Sequence, residues 1–193
     1  MLPAMRVTAR EALAALYGTV RLIRLKPDGF GWFDASLDGF WRSFAAAALV
    51  APLYLVSLAL WPGTVQAPSP DPLRFIALKS IAYLMGWVAY PLVMVSVLRL
   101  IDRERHMFRY LVAYNWFQVP KEALFFTLAA LYAAGAMPGR AAEFLSLAAF
   151  AATLFYFWYI AKAALETDGY TAAGLVLIDL TLGLVISGIA DRA

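Results

Sequence analysis

The chain has 193 residues, of which 63% are hydrophobic and only 15% charged, and its formal net charge is +3. Soluble domains are about 45–50% apolar and about 25% charged, and one core in a chain of this size could not hide so much apolar surface from water. The composition excludes a soluble globular domain, and the lack of cysteine excludes a disulfide scaffold. It predicts an all-α fold, a polytopic bundle of membrane helices.

Residues 1–42 are predicted to form a cytoplasmic segment that does not cross the membrane. Thr8 and Glu11 have the spacing of a helical capping box, and an apolar stripe flanked by arginines follows at helical periodicity. Such an amphipathic helix can lie in the headgroup region, or it can pack on the ends of the membrane helices with its arginines in water. The stripe consists of Leu13, Leu16, Val20 and Ile23, and the arginines are Arg10, Arg21 and Arg24.

An aromatic-rich stretch, residues 25–44, leads into the first apolar segment. Aromatic rings with a polar edge concentrate at membrane–water interfaces. We therefore predict interfacial anchors here and near the end of the fourth membrane helix, with a partner-binding loop as the alternative for residues 25–44. The predicted anchors are Trp32, Phe33, Trp41 and Trp158.

Residues 43–193 are predicted to form a five-helix transmembrane domain, because five stretches approach the roughly 20 apolar residues that a bilayer core about 30 Å thick requires. A turn rich in proline, APSPDP at residues 67–72, separates the first two. The third contains Pro120, Lys121 and Glu122, so it is either one kinked helix or has a re-entrant first half that leaves four true spans. The predicted spans are Ser43–Leu60, Leu73–Leu98, Met107–Ala134, Ala142–Ala161 and Tyr170–Ile189.

Lysine and arginine near the spans predict the orientation, because cytoplasmic loops carry an excess of both. Eleven fall on one side of the membrane and three, Arg74, Arg140 and Arg192, on the other, which places the N-terminus in the cytoplasm and the C-terminus outside. Arginine outnumbers lysine twelve to four and alanine is abundant, which suggests a GC-rich bacterial genome and hence the bacterial inner membrane. The eleven are Arg6, Arg10, Arg21, Arg24, Lys26, Arg42, Arg99, Arg103, Arg105, Arg109 and Lys162.

Six polar residues fall inside the predicted spans, where a charged side chain costs about 2.5–3.5 kcal/mol on insertion scales. We predict that Lys121 pairs with Asp179, and that Glu122 reaches Lys79 or a hydroxyl group. Two interpretations stay open: a network that fixes how the helices assemble, or the lining of a path for protons, ions or small solutes. We favour the network, because the sequence has no run of acids or histidines that a relay needs. The six are Lys79, Asn115, Gln118, Lys121, Glu122 and Asp179.

No pattern in the sequence is typical of catalysis, and we predict that the protein is not an enzyme. His106 is the only histidine and there is no cysteine, so the sequence offers neither a zinc-ligand cluster nor a cysteine nucleophile. We expect no cofactor, no metal and no nucleic-acid partner, since the basic residues serve as a topology signal. The expected partners are the lipid bilayer and other membrane proteins, and the oligomeric state stays open.

Two segments resemble the Yip-type family of five-span membrane proteins, namely KPDGFGWF at residues 26–33 and YLVAYNWFQVP at residues 110–120. The length of about 190 residues and the five closely spaced apolar stretches are similar as well. The resemblance implies a non-enzymatic protein of membrane organisation or trafficking, with small GTPases as partners of the eukaryotic members. We predict a scaffold, accessory subunit or membrane-organising protein; the alternative is a small transporter or channel component with an intramembrane polar path.

Overall fold

The computed structural model describes residues 7–60 and 72–192, and within these ranges all regular structure is helical and none is strand, as predicted. Arg6, the Arg192 side chain and residues 67–71 of the predicted turn lie outside the described part. Two short 3-10 turns, Pro27–Trp32 and Glu104–His106, join the longer elements. The helices are α1 (Ala9–Ile23), α2 (Leu37–Ser43), α3 (Ala45–Leu60), α4 (Pro72–Leu100), α5 (Met107–Ala133), α6 (Gly139–Leu165) and α7 (Gly169–Arg192).

Four helical segments are long and apolar enough to cross a membrane, which indicates a membrane protein. α5 is not one of them, because charged and polar residues along its length lower its hydropathy. Four of the five predicted spans thus correspond to helical segments that are long and apolar enough to cross, and a crossing by α5 stays a prediction. The four segments are Leu37–Leu58, Arg74–Leu100, Gly139–Leu165 and Gly169–Ala190.

α5 is the central helix of the bundle. It packs against α3, α4 and α6, while α7 packs against α4 and α6. It runs through Pro120 as one continuous helix of 27 residues, rather than as two separate halves. At a rise of 1.5 Å per residue its length is about 40 Å. Every residue from Tyr110 to Gln118 is buried, and burial decreases in the second half of the helix.

α1, the turn Pro27–Trp32 and α2 form a layer over the end of the bundle at which α5 begins, which we call the capped end. α1 starts where predicted, because the Thr8 side chain accepts a hydrogen bond from the Glu11 backbone N–H at 3.2 Å. The residues that α1 buries are Ala15, Gly18, Thr19 and Leu22.

The predicted apolar stripe of α1 is only partly turned toward the protein. Leu13 is 67% exposed and Val20 43%, whereas Leu16 and Ile23 are half-buried. The helix itself is therefore present, and the exposed half of the stripe is free to face lipid. Its position in the headgroup region stays a prediction.

Ion pairs hold the N-terminal layer together. Arg42 of α2 donates from Nε to Glu11 Oε1 of α1 at 2.6 Å and also pairs with Asp34. Arg21 of α1 pairs with Asp28 of the following turn, and this hydrogen-bonded partner lowers the pKa of the Asp28 carboxyl. The arginines that the sequence assigns to topology thus also connect α1 to the residues that follow it.

The layer is connected to α5 and α6 through Arg109 and Glu166. The Arg109 guanidinium lies 4.7 Å from the centre of the Phe30 ring and donates to Glu166 Oε1 at 3.0 Å. This hydrogen bond lowers the pKa of Glu166, whereas partial burial lowers the pKa of the neighbouring His106. The Tyr156 hydroxyl of α6 donates to the Ile23 carbonyl at 2.8 Å. These contacts fix the layer against the ends of the long helices.

Candidate ligand-binding cavity

A cavity of about 450 Å³ lies in the middle of the bundle and is lined by residues from α3, α4, α5, α6 and α7. Small-molecule sites generally have volumes of about 300–1,000 Å³. The central helix α5 gives the cavity more polar side chains than any other single helix, and they include two of its three ionisable groups. The α5 residues of the lining are Tyr114, Gln118, Lys121, Glu122 and Phe125.

Three ionisable side chains, Lys121, Glu122 and Asp179, line this cavity, and each is half-buried. Asp179 Oδ1 accepts a hydrogen bond from the Tyr114 hydroxyl at 2.7 Å. Glu122 Oε1 lies 3.4 Å from the Ser57 hydroxyl oxygen, whose one hydrogen is shared with the Tyr54 carbonyl at 2.8 Å, so Glu122 reaches a hydroxyl group, one of the two predicted partners.

The structure brings Lys121 and Asp179 to the same cavity without forming the predicted ion pair. No ion pair joins any two of the three ionisable groups within residues 7–60 and 72–192. Asp179 takes its hydrogen bond from Tyr114, which lies on the same side of α5 as Lys121 and about two helical turns before it. One basic and two acidic side chains therefore line the same cavity without an ion pair across it.

Gln118 is buried and lines the cavity together with the three ionisable groups. Asn115 and Lys79, the other two members of the predicted network, do not line it. Asn115 is fully buried and donates from Nδ2 to the Ser43 hydroxyl at 2.8 Å, which ties α5 to the end of α2. Its Oδ1 has no hydrogen-bond partner among the described residues. Lys79 lies outside the lining, with its ammonium nitrogen 5.7 Å from the centre of the Phe75 ring.

An aromatic floor closes the cavity toward the capped end: Tyr90, Tyr114 and Phe157 line the cavity, and Tyr110 packs behind them. The Tyr114 ring is stacked on both Tyr90 and Phe157, with ring centres 4.5 Å and 4.9 Å apart. The hydroxyls of Tyr90 and Tyr110 share a hydrogen bond. Sequence reasoning missed this floor, although two of its tyrosines stand one helical turn apart in the segment YLVAYNW.

The opposite part of the cavity is open to the surroundings and follows α7 as far as Ser187. One wall is aromatic: the rings of Tyr54 and Tyr83 stack with centres 4.9 Å apart, and the Tyr83 hydroxyl donates to the Ala47 carbonyl at 2.6 Å. α3 and α4 are thereby joined beside the cavity. Its lining combines a few charged groups with many aromatic surfaces, as is common in sites for small molecules.

Comparison with known proteins found no match. No protein-family model matches the chain, and neither a curated protein nor a solved structure matches it. Within the described residues, no three histidine, cysteine, aspartate or glutamate side chains lie together in a way that could hold a metal ion. The function is therefore inferred from the cavity.

The four predicted interfacial anchors have different surroundings. Trp32 and Trp41 are 48% and 47% exposed at the capped end, where they are able to contact lipid headgroups. Phe33 is only 8% exposed and packs near Gly18 of α1 instead. Trp158 is half-buried and donates from Nε1 to the Gly169 carbonyl at 2.9 Å, so it connects α6 to the start of α7.

Proposed function

We propose that the protein is a membrane protein that binds a small solute in this cavity and serves as a transporter or channel component. The observation that supports it is that Lys121, Glu122 and Asp179 face one cavity without pairing with one another. Charges withdrawn from water cost several kcal/mol each, so groups with a purely structural role are normally paired. Unpaired charges around an open space are typical of a binding site.

A scaffold or membrane-organising role, which the Yip-type resemblance implies, is the second candidate. It is supported by the exposed apolar side chains of the capped end, including Leu13, Tyr17, Trp32 and Trp41. It is also supported by the hydrogen bond between Asn115 and Ser43, which only connects helices. For a scaffold, the cavity would be a dry space between packed helices.

Both candidates include a crossing of the membrane by α5, with the capped end in the cytoplasm of a bacterial cell. α5 is surrounded by four apolar helices, and its polar face turns toward the cavity and away from lipid. A helix in this position does not need to be apolar all round. The excess of lysine and arginine on one side supports the orientation.

The position of the C-terminus tests whether α5 crosses. Five crossings from a cytoplasmic N-terminus place residue 193 outside, whereas four would return it to the cytoplasm. We expect alkaline phosphatase fused after residue 193 to be active and green fluorescent protein at the same site to be dark. Fusions after Arg103, in the connection between α4 and α5, should show the reverse. A fluorescent protein that is bright after residue 193 would contradict the five-span topology.

Whether water enters the cavity tests the proposed function. Labelling of single introduced cysteines can measure this, because the chain has no cysteine of its own. Gly183 lines the cavity, and a Cβ added there meets no atom within 4 Å, whereas Val185 is 53% exposed and does not line it. We expect Gly183→Cys to react with a charged thiol reagent at least about tenfold faster than Val185→Cys, because the reactive thiolate needs water.

The comparison uses the full chain in lipid nanodiscs, with labelling measured as mass added over time. Denatured samples of both variants provide the control for intrinsic reactivity. If Gly183→Cys reacts as slowly as Val185→Cys, the cavity is dry, the proposed function is wrong, and the scaffold role is favoured.

A further inference from the structure

We infer that the ligand of this cavity carries both an ammonium group and an acidic group. A free amino acid and a zwitterionic lipid headgroup both have this chemistry. The inference rests on the proposed function and names the ligand class of the same site. It follows from the hydrogen-bond partners that the charged groups of the lining have among the described residues.

Lys121 supplies the position for an acidic group. Its ammonium has three donor hydrogens, and within the described residues it forms neither a hydrogen bond nor an ion pair. It stands near the middle of α5, about 21 Å from the first residue of the helix and about 18 Å from the last, so its nearest surroundings are the cavity. A carboxylate or phosphate in the cavity would satisfy it.

Asp179 and Glu122 supply the position for an ammonium group. Each uses one carboxylate oxygen to accept a single hydrogen bond from a neutral hydroxyl, that of Tyr114 or Ser57. A carboxylate has about four acceptor positions, so both retain capacity for a cationic donor. The hydroxyl groups orient the carboxylates without neutralising them.

The aromatic walls supply the position for an apolar body. Aromatic faces pack well against apolar groups and also attract cations. They surround the charged groups on several sides, so a ligand with an apolar part between or beside its charges fits the lining. The wall residues are Tyr54, Tyr83, Trp87, Phe125 and Phe150, together with Tyr90, Tyr114 and Phe157 of the aromatic floor.

A ligand with only one kind of charge fits less well. A simple anion would satisfy Lys121 and would meet two carboxylates in the same cavity, and like charges repel. A simple cation would satisfy the carboxylates and leave the ammonium without an acceptor. A dipolar ligand satisfies all three groups, and for this reason we favour it.

The test compares three probes on the full chain in nanodiscs of phosphatidylglycerol, with binding measured by calorimetry. L-phenylalanine carries both charges, 3-phenylpropionate lacks the ammonium group, and phenethylamine lacks the carboxylate. Because hydrogen bonds between charged groups are the strong ones, we expect L-phenylalanine to bind at least about tenfold more tightly than either of the others. This comparison needs no variant and so does not depend on a variant's folding.

Lys121→Gln should weaken the binding of L-phenylalanine by about tenfold and should not weaken the binding of phenethylamine, because only the carboxylate loses its partner and a like charge is removed. Lys79→Gln is the matched control, since Lys79 is a second lysine within a membrane helix and does not line the cavity. A second arm adds phosphatidylethanolamine to the nanodiscs. Competition with L-phenylalanine in the natural chain and not in Lys121→Gln would identify a lipid headgroup as the source, and no competition would identify a free solute.

The inference is overturned if either singly charged probe binds as tightly as L-phenylalanine, or if Lys121→Gln affects no probe. It is also overturned if neither L-phenylalanine nor phosphatidylethanolamine binds. In each case the labelling of Gly183→Cys decides the proposed function separately. If the cysteine is labelled, a solute-binding role with a different ligand remains supported. If it is not labelled, both the proposed function and the inference about the ligand are wrong.

Discussion

Replacing Gly29 with alanine should release the N-terminal layer from the bundle, whereas the same replacement at Gly31 should leave it in place. α1 and the turn Pro27–Trp32 cross at two glycines. A Cβ at Gly29 would lie 2.6 Å from the Gly18 carbonyl oxygen, and one at Gly18 would lie 2.8 Å from the Gly29 carbonyl oxygen. Both clashes involve backbone, so no side-chain rotation relieves them. At Gly31 a Cβ meets nothing within 4 Å.

Overpacking of this kind costs about 1–3 kcal/mol, and here it falls on the contact between α1 and the turn. We expect trypsin to cleave Gly29→Ala after Arg21 or Arg24 about tenfold faster than the natural chain, since 1.4 kcal/mol corresponds to a factor of ten. Gly31→Ala should be cleaved at the natural rate. Equal cleavage of the two variants would mean that α1 does not depend on this crossing.

The release of the layer is informative about function as well. The turn carries Phe30, which covers Arg109 at the start of α5, and α5 leads directly to the aromatic floor. If the layer only anchors the protein, Gly29→Ala should leave L-phenylalanine binding unchanged. If it also holds the floor in place, binding should weaken together with faster cleavage.

The positions of the helices could be predicted from hydropathy because long apolar stretches determine them. The predicted span Leu73–Leu98 corresponds to α4, Pro72–Leu100, and Tyr170–Ile189 corresponds to α7, Gly169–Arg192. The first predicted span begins at Ser43, where the structure instead ends α2 and starts α3 two residues later. The charged Arg42 and the polar Ser43 precede this break and apolar residues follow it, so hydropathy shows where the apolar stretch begins but not that the helix is interrupted there.

The candidate site could be predicted only in part. Hydropathy identifies Lys121, Glu122 and Asp179 as polar residues within apolar stretches, and the structure brings them to one cavity. Whether two of them pair depends on how far α5 and α7 are shifted along each other, which the sequence of either helix alone does not determine. The same limit applies to Tyr114, whose hydroxyl takes the position beside Asp179 that the prediction gave to Lys121.

Of these features, the close contact between two glycines is the hardest to predict from the sequence. Gly29 and Gly31 stand two residues apart in the same turn, and nothing in the sequence distinguishes them. Only the position of α1 across the turn makes one of them indispensable and the other replaceable.

Tyr114→Phe should be the most destabilising removal of a single hydroxyl group in the bundle. Tyr114 is the hydrogen-bond donor to Asp179, so its loss leaves a half-buried carboxylate without that donor. Unsatisfied charged groups cost more than neutral ones, and we expect the free energy of unfolding to fall by about 2–3 kcal/mol. Tyr90→Phe is the matched control: its hydroxyl bonds to another hydroxyl, that of Tyr110, and we expect a loss of about 1 kcal/mol.

A double-mutant cycle tests whether the Tyr114 hydroxyl stabilises the protein through its hydrogen bond to the charged Asp179 carboxylate. Unfolding in detergent can be followed through tryptophan fluorescence for Tyr114→Phe, Asp179→Asn and the double variant. If the hydroxyl serves the carboxylate, Asp179→Asn should remove more than half of the cost of Tyr114→Phe, because a neutral amide needs the donor less. Additive losses would mean that the two residues act independently. Asp179 would then not be the charged acceptor that the dipolar ligand needs, and Glu122 would remain as the acid of the cavity.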